Sequence, residues 1–363
     1  MSNERILIYV FALVFPLMLA IFLTPKIRKL AEKFGIVDAQ TGGRHIHKNP
    51  TALLGGLAVF GAFLGGLIVA WLFGWLNDGV LKNAQISGIV FGGIVLMIGG
   101  FLDDKFKLKP WQSILFPILA TIIVVAMGVA VKYITNPFVS GTGPFGRALF
   151  YFNWLDLKIV SFGALFSFFW ILGMIYTTKF LDGLDGLVSG IGAIGAIILF
   201  IVSLFWDVPM SGTSILCLLL AGALLGFLRF NWHPAKIFLG EGGATFVGFM
   251  LGCLAIISGG KIATALLIMG MPILDVVLVI GRRILSGRHS YEGDRGHLHF
   301  RLLDAGLTQP QAVLILYLLS LIFGLSSLFL QSKDKMMALL ILLIITIIIF
   351  LSVLFLEKRI KKP

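Results

Sequence analysis

Charged residues are scarce in this chain of 363 residues. Asp, Glu, Lys and Arg make up 13%, whereas hydrophobic residues make up 58% and the mean hydropathy is +1.02. A soluble domain carries about 25% charged residues, so the composition excludes a soluble globular fold. It indicates instead an all-α, polytopic integral membrane protein, which we treat as a single domain over 1–363.

Charge is also absent from long stretches of the sequence. A bilayer crossing needs about 20 apolar residues, and about eleven segments approach or reach that length. They lie at 6–23, 53–73, 86–102, 112–131, 161–178, 186–205, 213–228, 243–258, 262–280, 311–330 and 336–356. Only the segment 262–280 contains a charged residue, Asp275.

The chain has only two cysteines, Cys217 and Cys253. Both fall inside predicted spans, where a free cysteine usually packs as a small apolar side chain. The sequence therefore predicts neither a disulfide nor a cysteine metal site.

Acidic residues are fewer than basic ones, 17 against 29, which gives a net charge of +12. Most of the basic residues fall in alternate loops, the pattern that identifies the cytoplasmic side. We therefore predict an outer N-terminus, a cytoplasmic C-terminus and an active site on cytoplasmic loops. The basic surface suits anionic lipid or an anionic substrate. Nucleic acid is not an expected partner, because the sequence has no soluble basic domain.

Two carboxylates, Asp182 and Asp185, lie between two apolar spans, close after Lys179. An ionised Asp at the centre of a membrane helix costs about 2.5–3.5 kcal/mol. Flanking glycines therefore predict a break between helices at the membrane surface, with a functional role. The three-residue spacing would place both carboxylates on one helical face.

Asp103 and Asp104 are adjacent at the end of the third span. Neighbouring carboxylates repel each other and need a cation, a hydrogen-bond donor or a proton. One interpretation is a functional acid pair. The other is a helix end balanced by the lysines that follow in 105–109.

Glu241 stands among glycines at the start of a short apolar span. A helix N-terminus offers free N–H groups to an anion, but a carboxylate there could equally be a plain cap charge. Nearby, Phe230 and Phe238 could stack on a planar base or simply pack.

The loop after the ninth span contains His297 and His299 with Arg295 and Arg301. Two histidines and two arginines suit an anion and a proton. Zinc is a competing interpretation, but zinc sites usually need three or four Cys, His or carboxylate ligands. On residues alone, the chain is an enzyme or a transporter for a polyanion.

Taken together, these pieces resemble the polyprenyl-phosphate N-acetylhexosamine-1-phosphate transferases, glycosyltransferase family 4. The resemblance rests on an ordered set: Arg44, His47, Pro50-Thr51, Gly55-Gly56, Asp103-Asp104, Asp182-Gly-Leu-Asp185-Gly-Leu, Phe230-Asn231, Pro234-Ala235-Lys236, Phe238-Leu-Gly240 and Asp294-Arg295-x-His297-x-His299. The last motif is more similar to the undecaprenyl-phosphate GlcNAc-1-phosphate transferases that start antigen or teichoic acid linkage synthesis than to the peptidoglycan branch.

The resemblance implies a reaction and its partners. A UDP-N-acetylhexosamine, most simply UDP-GlcNAc, would give its sugar-1-phosphate to undecaprenyl phosphate in the bacterial cytoplasmic membrane, with release of UMP. It also implies Mg²⁺ as cofactor and a possible homodimer.

The resemblance also assigns roles to individual residues. Catalysis falls to Asp103, Asp104 and Asp182, and Mg²⁺ binding to Asp104 and Glu241. The implied substrate-binding residues are Arg44, His47, Asp185, Asn231, Lys236, Phe238, Arg295, His297, His299 and Arg301. Among these, Asp185 and Asn231 would bind the nucleotide and Phe238 would stack on uracil.

Two residues depart from the family pattern. Lys179 stands where relatives usually have Asn, and Glu241 where they usually have Asp, both at positions associated with the magnesium ion. We hypothesise that Lys179 and Glu241 form an ion pair that partly occupies the metal's place. A relative that binds substrate without turnover therefore remains an alternative, as does a transporter of a phosphorylated solute.

Overall fold

The computed structural model describes residues 3–38, 50–77, 81–131, 133–135, 148–151, 162–206, 211–258, 261–285, 296–330 and 332–360. Helices account for nearly all of these residues. The helices are α1 (Asn3–Lys33), α2 (Gly55–Leu72), α3 (Asn83–Phe106), α4 (Pro110–Ser113), α5 (Leu115–Ala126), α6 (Phe162–Leu181), α7 (Leu187–Trp206), α8 (Gly212–Asn231), α9 (Gly240–Ile257), α10 (Ile262–Leu285), α11 (Leu298–Asp304), α12 (Gln309–Phe329) and α13 (Ser332–Ile360). Two antiparallel ladders pair β1 (Val37–Asp38) with β2 (Thr51–Ala52), and β3 (Tyr133–Thr135) with β4 (Ala148–Tyr151).

The all-α, polytopic prediction is confirmed. In the described part of the chain, nine helices are long and apolar enough to cross a membrane, and each overlaps a predicted span. The fourth predicted span, 112–131, is instead divided between the one-turn α4 and the 12-residue α5. The eleventh, 336–356, lies within α13. The membrane side of each helix end remains a prediction.

The centre of the bundle is formed by α8 and α9. In α9, 89% of the most apolar stretch is buried within the protein, against 22% in α1, so α1 lies at the periphery of the bundle. Both central helices use small residues at four-residue spacing to bring backbones close, as membrane helices commonly do. Gly222 and Gly226 of α8 lie against the α1 backbone, and Gly248 and Gly252 of α9 lie against that of α6.

Candidate active site

The predicted cytoplasmic loops that the structure describes meet at one end of the bundle. The segment before α2 pairs with the segment before α9, because Phe238 donates its N–H to Ala52 at 2.9 Å and accepts that of Gly55 at 2.9 Å. Ala52 also forms an isolated parallel bridge with Ile237. The starts of α2 and α9 are therefore held side by side.

Glycine backbones form the base of this site. A Cβ atom on Gly56 of α2 would overlap the backbone of Gly243, and one on Gly100 of α3 would overlap that of Gly242. Three helices thus touch through their main chains at the first turn of α9. This contact places Glu241 beside the C-terminal turn of α3.

Asp104 caps the start of α9. Its Oδ1 atom accepts the backbone N–H of Glu241 at 3.2 Å, which satisfies one of the free donors of that helix end. Asp103, the preceding residue, accepts the N–H of Leu108. Asp103 and Asp104 also interact electrostatically with each other and with the Glu241 carboxylate. The acid pair that the sequence indicated is therefore extended by a third carboxylate from another helix.

Lys179 and Glu241 form an ion pair, as hypothesised from the sequence. The Lys179 ammonium contacts Oε1 of Glu241, and it also donates to Oγ of Ser113 at 3.2 Å. Both paired side chains are largely shielded, with 24% and 19% of their surface exposed. Lys179 thus connects the last turn of α6 to α4 and α9.

Asp182 follows directly after α6 and lies near the same acids. Its side chain is exposed. Its pKa is nevertheless raised above the usual range, first by loss of hydration against the surrounding protein and then by the Glu241, Asp104 and Asp185 carboxylates. The candidate catalytic residues Asp103, Asp104 and Asp182 are therefore brought together, with Glu241 and Lys179 among them.

The side chains do not lie as a magnesium site requires. Mg²⁺ prefers six oxygen ligands in octahedral geometry. Within the described ranges, no group of three or more His, Cys, Asp or Glu side chains is arranged to hold a metal ion. Of the two predicted ligands, Glu241 pairs with Lys179, and Asp104 accepts the Glu241 N–H. The expectation of Mg²⁺ stays a prediction, and this arrangement does not fit it.

The hydrogen bonds that the structure shows for Asp185 and Asn231 join them to other residues of this chain. Oδ2 of Asp185 lies 2.8 Å from Nδ1 of His233 and accepts the N–H of Ala235 at 3.0 Å. Asn231 accepts the Ser189 hydroxyl at 2.7 Å and donates to a carbonyl in the following loop. Both side chains therefore fasten the loop after α8 to the start of α7, and the predicted nucleotide contacts stay a prediction.

A carboxylate inside α10 holds the histidine loop. Oδ2 of Asp275 lies 2.9 Å from Nδ1 of His297, and Oδ1 accepts the N–H of Leu298 at 2.8 Å. The ring of Phe180 stacks on His297, with 5.9 Å between centroids. Asp275 is the one ionisable residue in the apolar segment 262–280, and it belongs to none of the motifs that indicated the site. That isolation was the available signal, because ionisable residues inside spans are usually functional.

His299 packs beneath His297. Their rings stack with centroids 5.6 Å apart, and His299 lies so close to Gly183 that a Cβ there would overlap its ring. Among the described residues, neither ring nitrogen of the buried His299 has a hydrogen-bond partner. Burial lowers its pKa to about 4, so the ring is neutral at neutral pH.

The remaining predicted substrate-binding residues differ in their surroundings. Arg301 donates from Nε to the carbonyl of Gly296 at 2.7 Å, and its guanidinium lies over the Phe350 ring at 4.6 Å, so it anchors α11 to α13. Lys236 is exposed beside the site, and the Phe238 side chain is partly buried there. Arg44, His47 and Arg295 lie outside the described residues.

The fold and the site together define a class of protein: a polytopic membrane protein with carboxylates, a lysine and histidines gathered at one end of its helical bundle. The chain belongs to glycosyl transferase family 4, whose family model matches residues 86–259, as the sequence motifs indicated.

Similar proteins carry closely related names. The chain is 30% identical over 342 residues to "Probable undecaprenyl-phosphate N-acetylglucosaminyl 1-phosphate transferase" of Bacillus subtilis (strain 168), covering 92% of this chain and 87% of that one. It is 33% identical to "Decaprenyl-phosphate N-acetylglucosaminephosphotransferase" of Mycobacterium tuberculosis (strain ATCC 25618 / H37Rv), covering 82% and 76%. It is 26% identical to "Undecaprenyl-phosphate alpha-N-acetylglucosaminyl 1-phosphate transferase" of Escherichia coli (strain K12), covering 80% and 75%.

Proposed function

We propose that this chain transfers N-acetylglucosamine-1-phosphate from UDP-GlcNAc to undecaprenyl phosphate and releases UMP. The observation that carries the proposal is the meeting of Asp103, Asp104 and Asp182 with Lys179 and His297 at one end of the bundle. The names of the relatives support a polyprenyl-phosphate acceptor and an N-acetylglucosaminyl-1-phosphate group.

The reaction is a phosphoryl transfer. An oxygen of the lipid phosphate forms a bond to the β-phosphorus of the sugar nucleotide, while the bond from that phosphorus to the bridging oxygen breaks. The electron pair stays on the bridging oxygen, which leaves as part of UMP. A phosphate monoester has a second pKa near 6, so the acceptor is already largely a dianion at neutral pH. A strong general base is therefore not required.

The protein's task is then positioning and charge neutralisation, which dominate phosphoryl transfer. We assign Asp103 to positioning the acceptor and to taking its last proton. Asp104 and Asp182 are the other catalytic carboxylates beside it. His297, with Arg295, is assigned to the pyrophosphate and sugar, and His299 to supporting the His297 ring on which it stacks. The exposed Lys236 is assigned to the nucleotide phosphates.

The proposed setting is the cytoplasmic membrane of a bacterium. The acceptor would reach the site from the bilayer and the donor from the cytoplasm, and the product would start a cell-envelope polysaccharide or a teichoic acid linkage unit. Homodimer formation is part of this proposal.

The test is a reconstituted assay with the purified full-length chain. UMP release and lipid-linked sugar should both appear with UDP-GlcNAc and undecaprenyl phosphate, and omitting either substrate should abolish both. UDP-GalNAc and UDP-MurNAc-pentapeptide, supplied in parallel, would determine which sugar the site accepts.

A pair of matched variants separates chemistry from folding. Asp104→Asn should lower UMP release by about 100-fold or more, on the order of the loss that follows removal of one preorganised electrostatic contact in an active site. Asp334→Asn makes the same change in the exposed first turn of α13 and should leave the rate within about twofold. Equal rates for Asp104→Asn and the unmodified chain would contradict the proposed site.

A further inference from the structure

Lys179 is a shielded cation beside four carboxylates, which we call the acid cluster: Asp103, Asp104, Asp182 and Glu241. Its ammonium pairs with Glu241, donates to Ser113 and acts electrostatically on Asp103. In the described part of the chain, Lys107 also acts on these acids, and it is exposed at the C-terminal cap of α3. A substrate entering the site would therefore meet Lys179 inside the cluster and Lys107 at its edge.

The packing around Lys179 holds the ammonium in place. Ser113 is buried, with 8% of its surface exposed, and it faces Lys179 from α4. The Tyr176 ring lies one turn earlier on α6, 5.8 Å from Nζ. Glu241 is fixed in turn because α9 begins against glycine backbones of two other helices. The ion pair is thus built into helix ends rather than formed by two freely moving side chains.

An ammonium in this position competes directly with a metal ion. It occupies an oxygen of Glu241, which is then less available as a ligand, and it adds a positive charge that repels a divalent cation. An ammonium has three N–H donors. Among the described residues Glu241 and Ser113 use two of them, which leaves one for a phosphate oxygen.

We propose that Lys179 is the resident cation of this site, neutralising substrate phosphate where a divalent ion would otherwise be needed. The inference rests on the proposed transferase activity and deepens it. Lys179 then stabilises the charge that develops on the oxygens of the transferred phosphoryl group, and its pairing with Glu241 keeps the ammonium in place when no substrate is bound. Turnover by this chain should accordingly need little or no added divalent ion.

The first experiment measures UMP release before and after metal removal. With EDTA, the unmodified chain should keep its rate within about twofold. The variant Lys179→Asn/Glu241→Asp should be inactive in EDTA and should recover when Mg²⁺ is restored in excess. Loss of the unmodified chain's activity in EDTA, with recovery by Mg²⁺ at the concentration that restores the double variant, would overturn the inference and leave the transferase proposal standing.

The second experiment does not depend on turnover. Mn²⁺ binding to the purified chain, followed by electron paramagnetic resonance, should be about tenfold weaker or more than binding to Lys179→Asn/Glu241→Asp, in the range that changes beside a metal site produce. Equal Mn²⁺ affinities would overturn the inference even if neither protein releases UMP. If no tested sugar nucleotide gives UMP with either protein, the transferase proposal fails separately.

Two further variants separate this pair from general surface charge. Lys179→Arg keeps the positive charge and should bind Mn²⁺ as weakly as the unmodified chain. Lys105→Asn removes an exposed lysine from the last turn of α3 and should change neither Mn²⁺ affinity nor the response to EDTA. A rise in Mn²⁺ affinity for Lys105→Asn equal to that of the double variant would attribute the effect to overall charge and reject the specific role of Lys179.

Discussion

Nδ1 of His297 lies 2.9 Å from Oδ2 of Asp275, a carboxylate inside α10 and 22 residues earlier in the chain. The second carboxylate oxygen accepts the N–H of Leu298, which begins α11. One side chain therefore fixes both the orientation of the histidine ring and the start of the helix that follows it.

We expect Asp275→Asn and Asp275→Ala to differ in a diagnostic way. Asn can still accept the Leu298 N–H but no longer presents a carboxylate to His297, so UMP release should fall by about 100-fold with little change in the thermal unfolding midpoint. Ala leaves both donors without this partner and should also destabilise the fold by about 1–3 kcal/mol. Full activity in Asp275→Asn would mean that the pair serves packing alone.

Burial of His299 predicts a pH dependence of stability. Its pKa is about 4 in the folded protein against an ordinary value of 6.5, so between these values the unfolded chain binds a proton that the folded chain does not. The free energy of unfolding should therefore fall as the pH decreases through this window, by up to about 1.4 kcal/mol per pH unit.

The measurement for His299 is the thermal unfolding midpoint in detergent between pH 8 and pH 4. His299→Gln should show a smaller decrease below pH 6.5 than the unmodified chain, and the two should run parallel above pH 7. Identical slopes below pH 6.5 would show that His299 is accessible to protons in the folded state.

The close approach of Gly183 to His299 predicts a large effect of one methyl group. Gly183→Ala would force the histidine ring and Phe300 to move, and overpacking of this kind costs about 1–3 kcal/mol. Gly173, within α6, has no heavy atom of the described residues within 4 Å of the place where a Cβ would stand. Gly173→Ala should therefore be nearly neutral in both unfolding midpoint and UMP release, and equal losses in the two variants would exclude a specific contact.

The ion pair of Lys179 and Glu241 should show energetic coupling. In a double-mutant cycle with Lys179→Met and Glu241→Gln, each single change leaves a shielded charge without its partner. The free energy of unfolding of the double variant should therefore be about 1–3 kcal/mol higher than the sum of the two single losses predicts. The control is the pair Arg28 and Glu32 on α1, at 2.8 Å and 43% and 45% exposed, which should couple by about 0.3–0.5 kcal/mol. Comparable coupling in both pairs would show that solvent screens the site.

Hydropathy predicted the bundle well because each span must satisfy its own backbone in lipid. It did not predict the division of 112–131 into α4 and α5, since an apolar window carries no information about a break at a single residue. The motifs likewise indicated Asp103, Asp104 and Asp182, whose position at helix ends is itself unusual for charged residues.

Pairing between distant elements was harder to predict. The partners of Asp275 and Asn231 depend on which loop packs against which helix, and the local spacing of residues does not predict that packing. Lys179 and Glu241 were an exception, because two departures of opposite charge from a known motif indicated each other. A compensating pair of substitutions thus carries tertiary information that a single unusual residue does not.

The backbone contacts of Gly56 with Gly243 and of Gly100 with Gly242 have a consequence for how this site can diverge among relatives. Because main chains rather than side chains set the spacing of α2, α3 and α9, the positions of the charged groups are fixed independently of their chemistry. Relatives can therefore carry different ionisable side chains at positions 179 and 241 without a change in the positions of the helices. The backbone contacts thus fix the geometry of the site, whereas the side chains at 179 and 241 determine which cation neutralises the substrate phosphate.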